Sequence, residues 1–328
     1  MNRRGWLAIV AWVAVFTAAA HPSQGDKLFF SLAEELKDAK DFVGVLAAGI
    51  VTAPNAQAPM GPEQDWSEEE LRRQGVDKQV RIELGEPRFS CSVWLIGPPA
   101  AESKGTLFLL PGICSFKECM AGRARRYAKA GYRCVLPDFR GQGRSGGAYM
   151  TYGASEARDL RELLDILIEQ GEVQGPVGVY GMSYGAACGI QFAGIDPRVR
   201  AVVARSSFAS MRAVVPEYAR LFLPFLRPLL TDAVIRQAVD RAGILAGFDP
   251  DQADTVAAIR ATTAPILLIH GEKDRNIPIA QAEQLHAAAP GHSRLVRVAE
   301  GDHDRGFGKV EGQEVLPWFL VHLPSVGR

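Results

Sequence analysis

The chain has 328 residues, of which 47% are hydrophobic, and its formal net charge at pH 7 is zero. A chain of this size can bury a large core within one main domain. Because the charges balance, the composition gives no reason to expect a nucleic acid or an acidic membrane surface as a partner.

The first segment, residues 1–20, has the pattern of an export signal. Two arginines precede an apolar run that ends in Ala18-Ala19-Ala20, which fits a small-residue cleavage site before His21. This run is short for a membrane span. The prediction is an exported protein, periplasmic or secreted, and the alternative is an uncleaved segment that anchors the protein in the membrane.

Residues 21–77 separate the signal from the main domain. The stretch 26–50 looks helical, and its sequence assigns it no role. A run rich in alanine and proline, residues 52–62, is typical of a linker.

From residue 78 to residue 328, strand-like runs alternate with helix-length amphipathic segments such as 156–167. This alternation predicts an α/β fold, a mostly parallel sheet with helices on both faces. The runs from Gln79 to Leu84 and from Phe89 to Ile96 predict an antiparallel hairpin at the edge of that sheet.

The apolar strand from Thr106 to Leu110 ends in Pro111-Gly112-Ile113-Cys114. If a nucleophile lies at this edge of the sheet, the backbone N–H of Ile113 is placed to hold a developing oxyanion. A plain turn after a strand is the alternative.

The five cysteines include no CxxC pair and no cluster with histidine, so no metal is expected. In an oxidising compartment one or two disulfides can form, and the pairing of Cys114 with Cys119 stays open. Cys188 is expected to pack within a helix.

The run Gly141-Gln142-Gly143-Arg144-Ser145-Gly146 matches G-x-G-x-x-G. A dinucleotide site needs such glycines to open a helix directly, whereas the helical pattern here begins near Ala154. The better interpretation is a tight loop in which Asp138 and Arg140 are turn and ion-pair residues, and no cofactor is expected.

The segment Gly181-Met182-Ser183-Tyr184-Gly185 joins a β-branched run to a helical stretch. A strand that turns at once into a helix leaves little room, and the two glycines remove side chains that would collide there. Ser183 is therefore predicted at a strained apex as a nucleophile. The N–H of Tyr184 is predicted as the second oxyanion donor.

A catalytic serine needs a base, and the base needs an orienting acid. Two later strand-like runs are followed by Asp274 and by His303, so the candidates occur in the order serine, aspartate, histidine. Glu272 is the alternative acid. The other histidines look like packing, surface or terminal residues: His21, His270, His286, His292 and His322.

Between residues 206 and 260 the alternation of strands and helices is interrupted. Helical segments and the apolar bend 221–230 occupy this stretch, which predicts a cap over the strand ends. Apolar cap residues favour a substrate with an apolar acyl or aryl group. The alternative is that they only pack the cap onto the body.

These segments together resemble the α/β-hydrolase superfamily, in its serine aminopeptidase-like and lysophospholipase-like branch. The resemblance covers about residues 78 to 322. It rests on the segments 110–112, 138–145, 181–185, 270–274 and 301–303.

The resemblance implies the fold and the triad of Ser183, Asp274 and His303, and it says little about the substrate. We expect an exported serine hydrolase that cleaves an ester, or an amide or thioester, of a small molecule through an acyl-enzyme. The alternatives are a small peptidase, for which Glu217 in the cap is the only hint of an amine-binding group, and a non-catalytic binding protein.

Overall fold

The computed structural model of the chain describes residues 42–51, 66–222 and 227–324. The predicted export signal and the predicted linker lie outside these residues. Within the described ranges, no helix is both long and apolar enough to cross a membrane.

Eight strands form one sheet in the order β1-β2-β4-β3-β5-β6-β7-β8. β1 and β2 form an antiparallel hairpin at one edge, β2 runs antiparallel to β4, and all later neighbours are parallel. The predicted sheet and edge hairpin are confirmed. The strands are β1 (Lys78–Leu84), β2 (Phe89–Ile96), β3 (Thr106–Leu110), β4 (Arg133–Pro137), β5 (Val177–Met182), β6 (Val199–Arg205), β7 (Ile266–Gly271) and β8 (Ser293–Val298).

Helices cover the sheet and fill the connections between strands. They are α1 (Phe42–Val51), α2 (Glu68–Gln74), α3 (Ala121–Lys129), α4 (Glu156–Glu169), α5 (Tyr184–Ile195), α6 (Met211–Phe222), α7 (Asp232–Ala246), α8 (Thr255–Ala261) and α9 (Ile279–Ala288). The last helix, α10, runs through Gly308–Val310, a π turn over Glu311–Val315 and Leu316–His322. Short 3₁₀ turns lie at Ala100–Glu102, Lys117–Met120 and Pro250–Gln252.

Strand β3 shows why both faces of the sheet are covered. Its side chains alternate between the faces, and each of its residues is buried. Phe108 and Leu110 join an apolar cluster with α4 and α5. Leu107 and Leu109 join a second cluster with α3 and α10. A strand without a polar face folds stably only between two helical layers.

The predicted insertion contains α6, α7 and α8. Helix α8 packs against α5 beside the sheet, where a Cβ built on Gly194 would lie 3.0 Å from Ala258. Helices α6 and α7 are the part that departs from the regular strand and helix alternation, and we call this pair the cap.

Helix α1 packs against the cap helix α7. Its Ala47 and Val51 are buried in the same cluster as Val239 of α7. The Val51 carbonyl accepts a hydrogen bond from the Met150 N–H at 2.9 Å. The end of the stretch to which the sequence assigned no role therefore joins the cap to the body.

The loop after β4 is a turn rather than the start of a helix, since the Gly141 N–H donates to the Gly146 carbonyl at 2.7 Å. The buried Asp138 carboxylate pairs with the Lys117 ammonium and accepts the Arg144 N–H at 3.0 Å. Arg140 pairs in bidentate fashion with Asp159. The prediction of turn and ion-pair residues is confirmed.

All five cysteines are free, so the pairing of Cys114 with Cys119 is not formed. Cys188 is buried in α5, as expected.

Candidate active site

Ser183 lies between β5 and α5 with φ 52° and ψ −115°, a conformation that costs energy for a residue with a side chain. The two flanking glycines make the bend sterically possible. A Cβ on Gly181 would lie 2.6 Å from the Cα of Ala186, and one on Gly185 would collide with the carbonyl oxygens of Leu110 and Pro111. The predicted strained apex is therefore observed.

Asp274 follows β7, and its carboxylate is buried. Its Oδ1 accepts the backbone N–H groups of Asn276 and Ile277, both at 2.9 Å. Burial by itself would raise the pKa of Asp274, but hydrogen bonds from His270 and His303 outweigh it and hold that pKa well below its usual range. The group is therefore a carboxylate at neutral pH.

His303 follows β8 and connects the other two residues. Its Nδ1 lies 2.8 Å from Asp274 Oδ2, and its Nε2 lies 3.0 Å from Ser183 Oγ. Because the carboxylate only accepts, Nδ1 carries the proton, and Nε2 is left to accept the proton of the serine hydroxyl. The three predicted residues thus form one hydrogen-bonded chain.

Two glycines bring the acid loop and the histidine loop together. The Lys273 N–H donates to the Gly301 carbonyl at 2.9 Å, and a Cβ on Gly301 would lie 3.1 Å from the Cα of Gly271. A side chain at either glycine would push the two loops apart. Gly271, three residues before Asp274, and Gly301, two residues before His303, therefore let the two loops approach each other.

The loop Pro111-Gly112-Ile113 lies beside the serine, since a Cβ on Gly112 would be 3.6 Å from Ser183 Cβ. Within the described part of the chain, neither the Ile113 N–H nor the Tyr184 N–H donates a hydrogen bond. Both predicted donors therefore remain available to an acceptor bound at this edge of the sheet.

The side chain of Tyr184 anchors the first turn of α5. Its hydroxyl donates to the buried Glu156 at 2.8 Å and accepts the Tyr152 N–H at 3.0 Å. Its ring packs edge-on against Phe139 and Phe208. This buried network holds the backbone N–H of Tyr184 in place, and no local sequence pattern predicted it.

His270 is a second histidine beside Asp274, although its sequence context predicted only a packing residue. Its Nε2 lies 2.8 Å from the Ile277 carbonyl and 3.4 Å from Asp274 Oδ2. Since a carbonyl only accepts, Nε2 carries the proton and faces the carboxylate. Its position four residues before the acid, at a strand end, was the available signal.

The other candidates lie elsewhere. Glu272 is exposed, so the alternative acid is not in the hydrogen-bonded chain. His286 bonds to Ser293, His292 lies against the Ile259 carbonyl, and the His322 ring packs at a tilt against Trp318. His21 lies outside the described residues. Over those residues, no group of histidine, cysteine and carboxylate side chains has the arrangement of a metal site.

The sequence matches the model of the alpha/beta hydrolase family over residues 107–308, which include all three residues of the hydrogen-bonded chain. The chain belongs to the alpha/beta hydrolase family. Its strand order and its serine at a strand-to-helix turn agree with this membership.

Among the relatives of this chain, the uncharacterized Bacillus subtilis protein YqkD is 25% identical over 186 residues, which are 55% of this chain and 58% of that protein. The monoacylglycerol lipase of Mycolicibacterium smegmatis is 24% identical over 275 residues, which are 73% of this chain and 95% of the lipase. The chain thus spans less than two thirds of the first of these relatives.

The structure of the Pyrococcus furiosus esterase Pf2001 has the same fold. It aligns with a TM-score of 0.61 and 20% identity, over 81% of this chain and 98% of the esterase. This likeness shows a shared fold.

Proposed function

We propose that this protein is an exported serine hydrolase that cleaves an ester bond through an acyl-enzyme intermediate. The observation that carries the proposal is the chain of hydrogen bonds from Ser183 through His303 to Asp274, with donor–acceptor distances of 3.0 and 2.8 Å. A nucleophile, a base and an orienting carboxylate within hydrogen-bond reach are the requirements for acyl transfer to serine.

In the first step, Ser183 Oγ attacks the carbonyl carbon while His303 Nε2 takes the hydroxyl proton. The N–H groups of Ile113 and Tyr184 hold the oxyanion, and His303 returns the proton to the leaving group. Water then attacks the acyl-enzyme by the same route. Asp274 stabilises the imidazolium in both steps, because its lowered pKa keeps it charged.

For the substrate we propose a small molecule with an apolar acyl or aryl group. The lipase and esterase names of two similar proteins agree with an ester. The inner residues Met211, Val214 and Val215 of α6 are fully buried and pack the cap onto the body. They therefore do not themselves select an acyl group.

The peptidase alternative would need Glu217 to hold a substrate amine. Its carboxylate instead pairs with Arg220 at 3.4 Å, and Arg220 also pairs with Asp232 at 2.9 Å.

The test is labelling with a fluorophosphonate probe, which reacts with activated serines. The protein should be labelled once, and Ser183→Ala should abolish both labelling and the hydrolysis of p-nitrophenyl esters. Ser206→Ala is a matched control, since Ser206 is also buried and has φ 55° at the end of the neighbouring strand β6.

Labelling that persists in Ser183→Ala and disappears in Ser206→Ala would overturn the assignment. A panel of p-nitrophenyl esters of graded chain length, run beside aminoacyl-anilides, then identifies the acyl group and separates ester from amide cleavage.

A further inference from the structure

His270, near the end of β7, is bonded to the loop that carries the acid. Its ring is buried, and its Nε2 lies 2.8 Å from the Ile277 carbonyl. The backbone N–H of the same residue, Ile277, donates to Asp274 Oδ1 at 2.9 Å. Ile277 therefore binds the acid with its N–H while its carbonyl is held by His270.

The proton of His270 is placed by the acceptors around the ring. Nε2 faces the Ile277 carbonyl and, in a longer contact of 3.4 Å, Asp274 Oδ2. Nδ1 is buried and has no hydrogen-bond partner among the described residues, so a proton there would be a donor without an acceptor. The imidazole therefore carries its proton on Nε2, beside both oxygens.

The orientation of the carboxylate depends on this arrangement. Oδ1 of Asp274 is fixed by the N–H groups of Asn276 and Ile277, and Oδ2 is thereby directed to His303 Nδ1 at 2.8 Å. Without the His270 bond, the carbonyl of Ile277 would lose its side-chain anchor to β7. Burial raises the pKa of Asp274, and His270 stands before His303 among the groups that lower it.

We infer that His270 is a positioning residue for catalysis, whose Nε2–H fixes the loop of Asp274 and thereby aims the carboxylate at His303. It acts through Asp274, and no bond to His270 forms or breaks in the reaction. This role rests on the proposed function and deepens it, because the acid must stay oriented while positive charge forms on His303.

The experiment compares His270→Gln with His270→Met. The two side chains have the same length and nearly the same shape, but only glutamine carries an N–H donor, at about the distance of Nε2 from the backbone. Melting curves select a temperature at which both variants are folded. If His270→Met does not fold, His270→Asn replaces it, because the shorter amide does not reach the position of Nε2.

His292→Met is the matched control. The His292 Nε2 also bonds to a backbone carbonyl, that of Ile259 at 2.9 Å. His292 directly precedes β8 and its carbonyl accepts the N–H of Ile266, the first residue of β7. It therefore lies at the amino ends of the strands, whereas the triad lies at their carboxyl ends.

The measured quantities are the rate constant of fluorophosphonate labelling and the kcat and KM for a p-nitrophenyl ester. For His270→Met we expect labelling and kcat to fall about ten- to a hundredfold, as for a small misplacement of a catalytic group, with KM nearly unchanged. His270→Gln should recover most of this loss. His292→Met should label like the unaltered protein.

Equal labelling rates for His270→Gln and His270→Met, whether fast or slow, would show that the N–H donor is not what matters at this position, and the inference would be withdrawn. Failure of the unaltered protein to label at all would instead overturn the proposed function, so the two failures are distinguishable.

Discussion

At the scale of single residues, the acid of the candidate triad is held from two sides. Backbone N–H groups of its own loop bind Oδ1, and His303 and His270 face Oδ2. Because the folded state lowers the pKa of Asp274 below its unfolded value of about 4, its ionised form stabilises the fold above that pH. This contribution is lost as the pH falls through the lowered pKa.

Asp274→Asn should keep the fold and lower kcat by about three to four powers of ten, because the imidazole loses its tautomer and its charge partner. Steady-state hydrolysis of a p-nitrophenyl ester measures this loss. Glu272→Gln, which neutralises the exposed carboxylate nearby, is the matched control and should be nearly as active as the unaltered protein. The reverse result would make Glu272 the acid.

The pH dependence of kcat/KM should show one acidic limb. His303 accepts the serine proton only when Nε2 is unprotonated, so activity should fall as the pH decreases. Asp274 adds no second ionisation above about pH 4, since its pKa lies well below the usual range. Rates between about pH 4 and 8 with a stable ester test this, and a limb with a slope of two would contradict it.

At the scale of elements, three glycine contacts decide whether the site assembles. Gly185 lets α5 approach the end of β3, Gly181 lets the chain turn, and Gly271 meets Gly301 between the acid and histidine loops. The sequence pattern predicted the first two because they flank the serine. It did not predict the third, because its two glycines lie on different strand ends.

Gly185→Ala should lower the free energy of unfolding by about 1–3 kcal/mol, as overpacking typically does. It should also reduce kcat/KM, because the added methyl pushes against the carbonyls of Leu110 and Pro111, just before the predicted oxyanion donor Ile113. Urea unfolding and ester hydrolysis measure the two effects. Gly291→Ala, with no atom within 4 Å of the new methyl, is the control; equal behaviour of the two variants would refute the close approach.

At the scale of the whole molecule, helix α1 (Phe42–Val51) meets the cap. Helix α1 packs on α7, and the Tyr152 hydroxyl donates to the Ile50 carbonyl at 3.0 Å. Cleavage of the proposed export signal before His21 would leave α1 in the mature protein. Export and an intact cap are therefore compatible.

The proposed export predicts that the protein, expressed in a Gram-negative host, is found in the periplasm with His21 as its first residue. N-terminal sequencing of the periplasmic and membrane fractions checks this. A variant with Ala18→Leu and Ala20→Leu removes the small residues that signal cleavage requires and should retain the signal. An unaltered protein that keeps Met1 in the membrane fraction would show an anchor instead.

Local sequence patterns were sufficient to predict the sheet, the strained backbone at Ser183 and the order of Ser183, Asp274 and His303, because hydrophobic periodicity and turn glycines are local signals. The contact of His270 with Asp274 and the anchoring of Tyr184 by Glu156 became visible only in the folded chain. Each of these contacts joins residues from different elements or depends on how a loop folds back. The direction in which a side chain points between two elements is set by tertiary packing, and a local sequence pattern does not encode it.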